Sequence, residues 1–132
     1  MKKRCILITI VLLLLLTACS NNKLSNIKVN ELKEKTDNKE SFVLYLSAND
    51  NELESTLNQI VNEYDFNAYK INLDKLSDEE KLELKTKYAY SDPSIIFIID
   101  GKDPTILSHI TNNNITKKAI VERLKDMNFI KE

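Results

Sequence analysis

Phe42-Val43-Leu44-Tyr45-Leu46 is an unbroken apolar run of strand length with polar residues on both sides. No other segment narrows the fold as much. A strand with one face in water alternates apolar and polar residues. A run without alternation suits a strand buried on both faces, at the centre of a sheet covered by helices above and below. An α/β domain is therefore expected. Ser94 to Ile99, reading SIIFII, is a second segment of this kind. Asp100-Gly101 follows it and signals a tight hairpin, because glycine takes positive φ without strain. Thr105 to Ile110 is the expected returning strand, with Pro104 confined to its start.

Helical patterns separate the strands. Leu53, Leu57, Ile60, Val61 and Tyr64 recur at helical spacing, in a helix started by Asn49-Asp50-Asn51. Ala68 to Leu73 alternates as a strand. Ser77-Asp78-Glu79-Glu80 is a capping box that opens a helix to about Tyr88. Ile120, Val121, Leu124 and Met127 define a last helix from near Thr116. At the other end, Ile27-Lys28-Val29 alternates as a brief edge strand, and Asn30 caps a short helical stretch through Glu34. The expected order is β-α-β-α-β-α-β-β-α, a mixed central sheet flanked by helices.

The chain begins with three distinct parts: Met1-Lys2-Lys3-Arg4 is basic, Cys5 to Leu16 is apolar, and Thr17-Ala18 is small. That is the pattern of a secretory signal peptide. Its apolar core of 12 residues falls short of the roughly 20 that span a bilayer as a helix. Leu16-Thr17-Ala18-Cys19 resembles the lipobox of bacterial lipoproteins. The resemblance implies cleavage between Ala18 and Cys19, a diacylglyceryl group on the Cys19 sulfur, and attachment to the outer face of the cytoplasmic membrane. An ordinary signal peptide with a chance cysteine is the alternative. The organisation expected is a leader over 1–18, a lipidated tether over 19–25 and one domain over 26–132.

Charge and cysteine usage exclude several functions. The 132 residues hold 19 basic and 20 acidic side chains. Loss of Lys2, Lys3 and Arg4 with the leader sets 16 against 20, a net charge of −4. A nucleic-acid partner is not expected, and attachment to membrane falls to the acyl chains rather than to a basic surface. Of the two cysteines, Cys5 leaves with the leader and Cys19 is alkylated. No thiol then remains for a disulfide, a nucleophile or a redox couple. No cofactor is expected beyond the covalent diacylglycerol on Cys19, and no metal.

Asn72-Leu73-Asp74 at the end of a strand, Tyr88-Ala89-Tyr90-Ser91-Asp92-Pro93-Ser94 before an apolar strand, and Asp100-Gly101-Lys102 resemble three motifs of the thioredoxin family. The resemblance covers roughly Ile27 to Met127. Ile27, Val29, Glu31 and Leu32, followed by the Phe42 strand, look most like small thioredoxin-like accessory proteins of bacteria, including bacteriocin transport accessory proteins. One departure dominates. Thioredoxins carry Cys-x-x-Cys between the central strand and its helix, where this chain reads Ser47-Ala48-Asn49-Asp50-Asn51-Glu52. A match anchored on Asn62-Glu63-Tyr64 puts Ser47 and Asp50 at the two cysteine positions, and an alignment from the strand shifts this by a few residues. The family's redox chemistry cannot carry over.

What can carry over is a surface. In the family, the first residues after the central strand lie beside a cis-proline, and the exposed backbone there pairs with an extended substrate segment. The resemblance thus implies a peptide-binding surface made by Ser47, Asp50, Tyr90, Asp92, Pro93 and Ser94. A turn retained only to close the fold is the competing reading. Asp50 and Asp92 could also face each other as a carboxylate pair that shares a proton or holds a cation. The plainer reading makes Asp50 a helix cap and Asp92 a turn residue. His109 is the only histidine and makes no zinc site alone. Ser47 has no nearby histidine to activate it. The function expected is that of a non-enzymatic, monomeric accessory factor that binds a secreted or membrane protein. A passive envelope lipoprotein and a carboxylate enzyme are the alternatives.

Overall fold

The apolar run is the middle of the sheet. The computed structural model describes residues 24–49, 51–108 and 116–132. Its elements run β1 (Ser25–Asn26), α1 (Val29–Asp37), β2 (Phe42–Ser47), α2 (Asn51–Glu63), β3 (Ala68–Asn72), a 3-10 turn (Leu73–Lys75), α3 (Asp78–Tyr88), β4 (Ser94–Ile99), β5 (Lys102–Ser108) and α4 (Lys117–Asp126). The expected β-α-β-α-β-α-β-β-α order is present. The five strands lie in the order β1-β3-β2-β4-β5. β1, β3 and β2 are mutually parallel, while β4 runs antiparallel to both β2 and β5.

All six residues of β2 are buried, and the two-residue period of a strand divides the five apolar ones, Phe42 to Leu46, between two cores. Val43 and Tyr45 join Ile95 and Phe97 of β4 against Leu53, Leu57, Ile60 and Val61 of α2 and Ile120 and Leu124 of α4. Phe42, Leu44 and Leu46 join Ile96 and Ile98 against Val29 and Leu32 of α1 and Leu84 and Tyr88 of α3. Each such side chain contributes about 1.5–3 kcal/mol when fully buried. That explains why the central strands have no polar alternation.

Local signals hold at most boundaries. Ser77 Oγ accepts from Glu80 N–H at 3.2 Å, and the Glu80 carboxylate accepts from Ser77 N–H at 2.9 Å. α4 follows Thr116 as its N-cap residue. Asp100 (φ 52) and Gly101 (φ 73) both have positive φ, as a two-residue hairpin turn requires. Gly101 is the only glycine in the chain. A Cβ there would fall 2.1 Å from the Thr36 carbonyl oxygen, so α1 packs directly on the hairpin backbone. Gly101 N–H donates to Glu40 O at 3.0 Å, and Asp100 N–H to Ser41 Oγ at 3.0 Å.

The first strand and helix differ from expectation. β1 lies at Ser25–Asn26 instead of Ile27–Val29, and Leu24 is buried, so the packed body starts ahead of residue 26. α1 begins at Val29 after Lys28, not after an Asn30 cap, and reaches Asp37. Val29, Leu32 and Thr36 share one helical face and bury together, which outweighs the short alternation around Lys28. The Glu31 carboxylate accepts from Lys28 N–H at 2.6 Å and secures this start. β5 takes in Pro104 instead of starting after it, which an edge strand tolerates. The readings for the leader, Ala18, Cys19, Asp50, His109 and Ile110 lie outside the described residues. Among the described residues no helix is long and apolar enough to cross a membrane.

Candidate functional site

Parallel strands end on one rim of the sheet. The last residues of β2 and β3, Ser47 and Asn72, are paired there, and β4 starts from the same level with Ser94 opposite Leu46. Open α/β sheets hold ligands outside the carboxyl ends of their strands, because the connections to the helices diverge there.

One hydrogen bond assembles this rim. Ala48 N–H donates to Asp92 Oδ1 at 3.1 Å and ties the end of β2 to the segment before β4, 44 residues away in sequence. The Asp92–Pro93 peptide is cis. The Ala48–Asp92 bond makes the Ser47–Asn49 end of β2 a neighbour of the Asp92-Pro93 segment. Their exposure differs. Asp92 and Asn49 are exposed and Pro93 is half-buried, while Ser47 ends β2 at 7 % exposure. Ser94 is fully buried. Its hydroxyl accepts from Ser91 N–H at 2.9 Å and donates to Ser91 O, which closes the turn from within. Tyr90 packs against the α1/α3 core with part of its ring exposed. Its hydroxyl pKa is raised, first by burial and then by the negative charge of Asp92.

Three comparisons with solved structures agree on this architecture. A mutant thioredoxin from Halobacterium salinarum matches with a TM-score of 0.64 at 14% identity, over 86% of this chain and 96% of that one. Thioredoxin O2 from Arabidopsis thaliana matches at 0.61 and 14% identity, over 82% and 96%. Thioredoxin O1 from the same plant matches at 0.57 and 15% identity, over 83% and 100%. This is a thioredoxin-like fold. No protein-family model matches the sequence, and no curated protein matches it.

The thioredoxin-like rim carries no sulfur here. Cys5 and Cys19 are the only cysteines in the chain, so the residues between β2 and α2 offer no thiolate for disulfide exchange. The Asp92 carboxylate is engaged by a backbone amide, and Asp50, its suggested partner, lies outside the described residues. Among the described residues no three His, Cys, Asp or Glu side chains gather as a metal-binding set.

The thioredoxin-like rim also holds residues that the sequence did not single out. A polar hollow of about 200 Å³ lies between the ends of β2 and β3, lined by Tyr45, Ser47, Asn49, Glu54, Lys70 and Asn72. Glu54 and Lys70 form a half-buried ion pair in it. Asn49 Nδ2 donates to Asp74 Oδ2 at 3.2 Å, and Asn72 Oδ1 accepts from Asp74 N–H at 2.9 Å. A larger cleft of about 580 Å³ opens between the start of α1 and the segment joining β3 to α3. The two share Asn26, Ile71, Asn72 and Lys75. The signal available in the sequence was positional: Asn26, Ser47, Asn49 and Asn72 sit at or just beyond the carboxyl ends of strands.

Proposed function

We propose that this chain is a redox-inactive, lipid-anchored thioredoxin-like protein. Its rim around Ser47–Asn49 and Tyr90–Pro93 binds an extended segment of a secreted or membrane protein. In this reading it is an accessory factor for secretion, transport or envelope assembly. Cys19 carries the diacylglyceryl group and holds the domain at the outer face of the bacterial cytoplasmic membrane. The observation that carries the binding reading is the Ala48–Asp92 hydrogen bond. It keeps the strand end and the proline segment together as one surface in a chain with no cysteine to use there. Tyr90 supplies an aromatic contact at its margin, and Ser94 shapes the turn beneath it.

Photo-crosslinking in living cells tests this. A benzoylphenylalanine probe replaces Tyr90, with a second probe at exposed Asn62 on α2 as the control. One dominant adduct absent from the control supports a dedicated accessory role and names the partner by mass spectrometry. Adducts no different from the control overturn the binding reading in favour of a passive envelope lipoprotein. Labelling with a radioactive fatty acid, compared between the native chain and Cys19→Ser, tests the anchor separately.

A further inference from the structure

The larger cleft has a floor and a charge arrangement of its own. Ile27, Ile71 and Leu76 supply apolar surface, while Asn26 and Asn72 present amides at the boundary with the polar hollow. Its volume is within the roughly 300–1,000 Å³ of small-ligand pockets. Three lysines and three glutamates line the two hollows, so the formal charges cancel. Their partners do not match in the same way. Glu31 accepts from Lys28 N–H, Glu80 from Ser77 N–H, and Glu54 pairs with Lys70. Each carboxylate is thus engaged by the protein itself. Lys28 and Lys75, by contrast, have no carboxylate partner among the described residues. Both are exposed, and Lys75 borders both hollows.

We propose that this cleft takes an extended peptide segment carrying a carboxylate beside an apolar side chain. Lys75 receives the carboxylate, with Lys28 as a second cation across the cleft. The apolar side chain lies on Ile27, Ile71 and Leu76. The Asn26 amide, both donor and acceptor, and the Asn72 amide nitrogen, whose own oxygen is held by Asp74 N–H, match the peptide unit between them. The cleft shares Asn26, Ile71, Asn72 and Lys75 with the polar hollow, which Ser47, Ala48 and Asn49 also line, so a longer bound segment would run towards the Ala48–Asp92 surface. The proposal rests on the reading of this rim as a protein-binding surface, and it supplies the chemistry of the partner.

Fluorescence anisotropy on the purified full-length protein tests it. The probe is a fluorescein-labelled peptide with an alternating leucine–aspartate core, set against the same peptide with asparagine for aspartate. The aspartate peptide should saturate, and the asparagine peptide should bind about tenfold more weakly, as expected for loss of a charge-assisted contact. Lys75→Glu should weaken the aspartate peptide by about tenfold or more and Lys28→Glu by a smaller factor, while Lys85→Glu on α3 leaves it unchanged. Equal binding of the two peptides overturns the proposal. So do indifference to both Lys75→Glu and Lys28→Glu, no saturable binding of either peptide, and displacement of the probe by an equal concentration of free glutarate. A dominant Tyr90 adduct in cells together with failure here would keep the rim as a protein-binding surface and remove only its acidic specificity. Binding here without a cellular adduct would keep the cleft and its acidic specificity and remove only Tyr90 as a contact.

Discussion

The two ends of the sheet are built from different residues. All four phenylalanines lie towards the end where β2 and β3 begin and β4 finishes. Phe42 meets Tyr69 edge-on at 5.4 Å, and Phe129 stands 6.5 Å from Phe66 and 6.0 Å from Phe97. The single glycine is there too, pressed against α1, with two backbone amides of the hairpin bonded to the α1–β2 connection. The opposite end has Asn26, Asn49, Asn72, a half-buried ion pair and two hollows. One end is filled with aromatic rings and closed by direct backbone contact. The other leaves amides and charges around open space. Packing alone would favour filling both, so the contrast is the reason for seeking function at the open rim.

The contrast predicts where substitutions hurt. Phe97→Ala should be the most damaging, because a fully buried ring at the closed end leaves a cavity among Phe129 and its neighbours. A loss of about 3–5 kcal/mol in urea unfolding is expected. Gly101→Ala comes next. The new Cβ meets a backbone oxygen of α1 that cannot rotate away, and it does so at positive φ. About 2–4 kcal/mol should be lost. If Gly101→Ala unfolds at the native midpoint, the closed end is looser than its contacts imply.

At the open rim the expected effects are smaller and separate stability from function. Asp92→Ala removes the acceptor of the Ala48 amide and should cost about 1–2 kcal/mol, with loss of the Tyr90 crosslink. Asp92→Asn keeps an oxygen acceptor and should recover most of both. Ser91→Ala should go the other way. Ser91 Oγ is buried with no hydrogen-bond partner among the described residues, so its removal should leave stability unchanged or raise it by up to about 1 kcal/mol. A clear destabilisation by Ser91→Ala would show that this hydroxyl is bonded in solution.

The same contrast explains how much could be read from sequence. Segments buried on both faces announce themselves: Ser94–Ile99 was placed with its observed bounds, and β2 differs by one residue. The Ser77 box and Asp100-Gly101 turn were legible because their chemistry is local. β1 was not, since two residues have no period, and Val29 fits an alternating strand and a helical face equally well until Leu32 and Thr36 are counted with it. At the rim, the resemblance around Pro93 brought out Asp92 and Tyr90. The Ala48–Asp92 bond was invisible because it joins residues 44 apart. The hollows depend on β3 lying between β1 and β2, an adjacency that no local pattern encodes. Ser94 shows the converse: the motif pointed to it, yet its hydroxyl turns inward to Ser91.

Alkaline titration compares the two ends within one experiment. Lys35, in the last turn of α1 towards the closed end, lies 4.4 Å from the Tyr69 ring centre and 3.4 Å from Glu40 Oε2. Burial lowers its pKa, but the contacts with Tyr69 and Glu40 together outweigh that and leave it raised. Tyr90 at the open rim is raised by burial and then by Asp92. Both groups hold their protons more tightly in the folded state than in the unfolded chain. Their contribution is therefore complete below the unfolded values, near pH 10 for each, and is lost as pH rises through and above them. Both side chains retain contact with solvent, so the effect should be small. The thermal midpoint should fall as pH climbs past about 10, more steeply than in Tyr90→Phe or Lys35→Met. If Tyr90→Phe falls as steeply as the native chain while Lys35→Met does not, the alkaline sensitivity belongs to the closed end, and Tyr90 is as open to water as a binding contact should be.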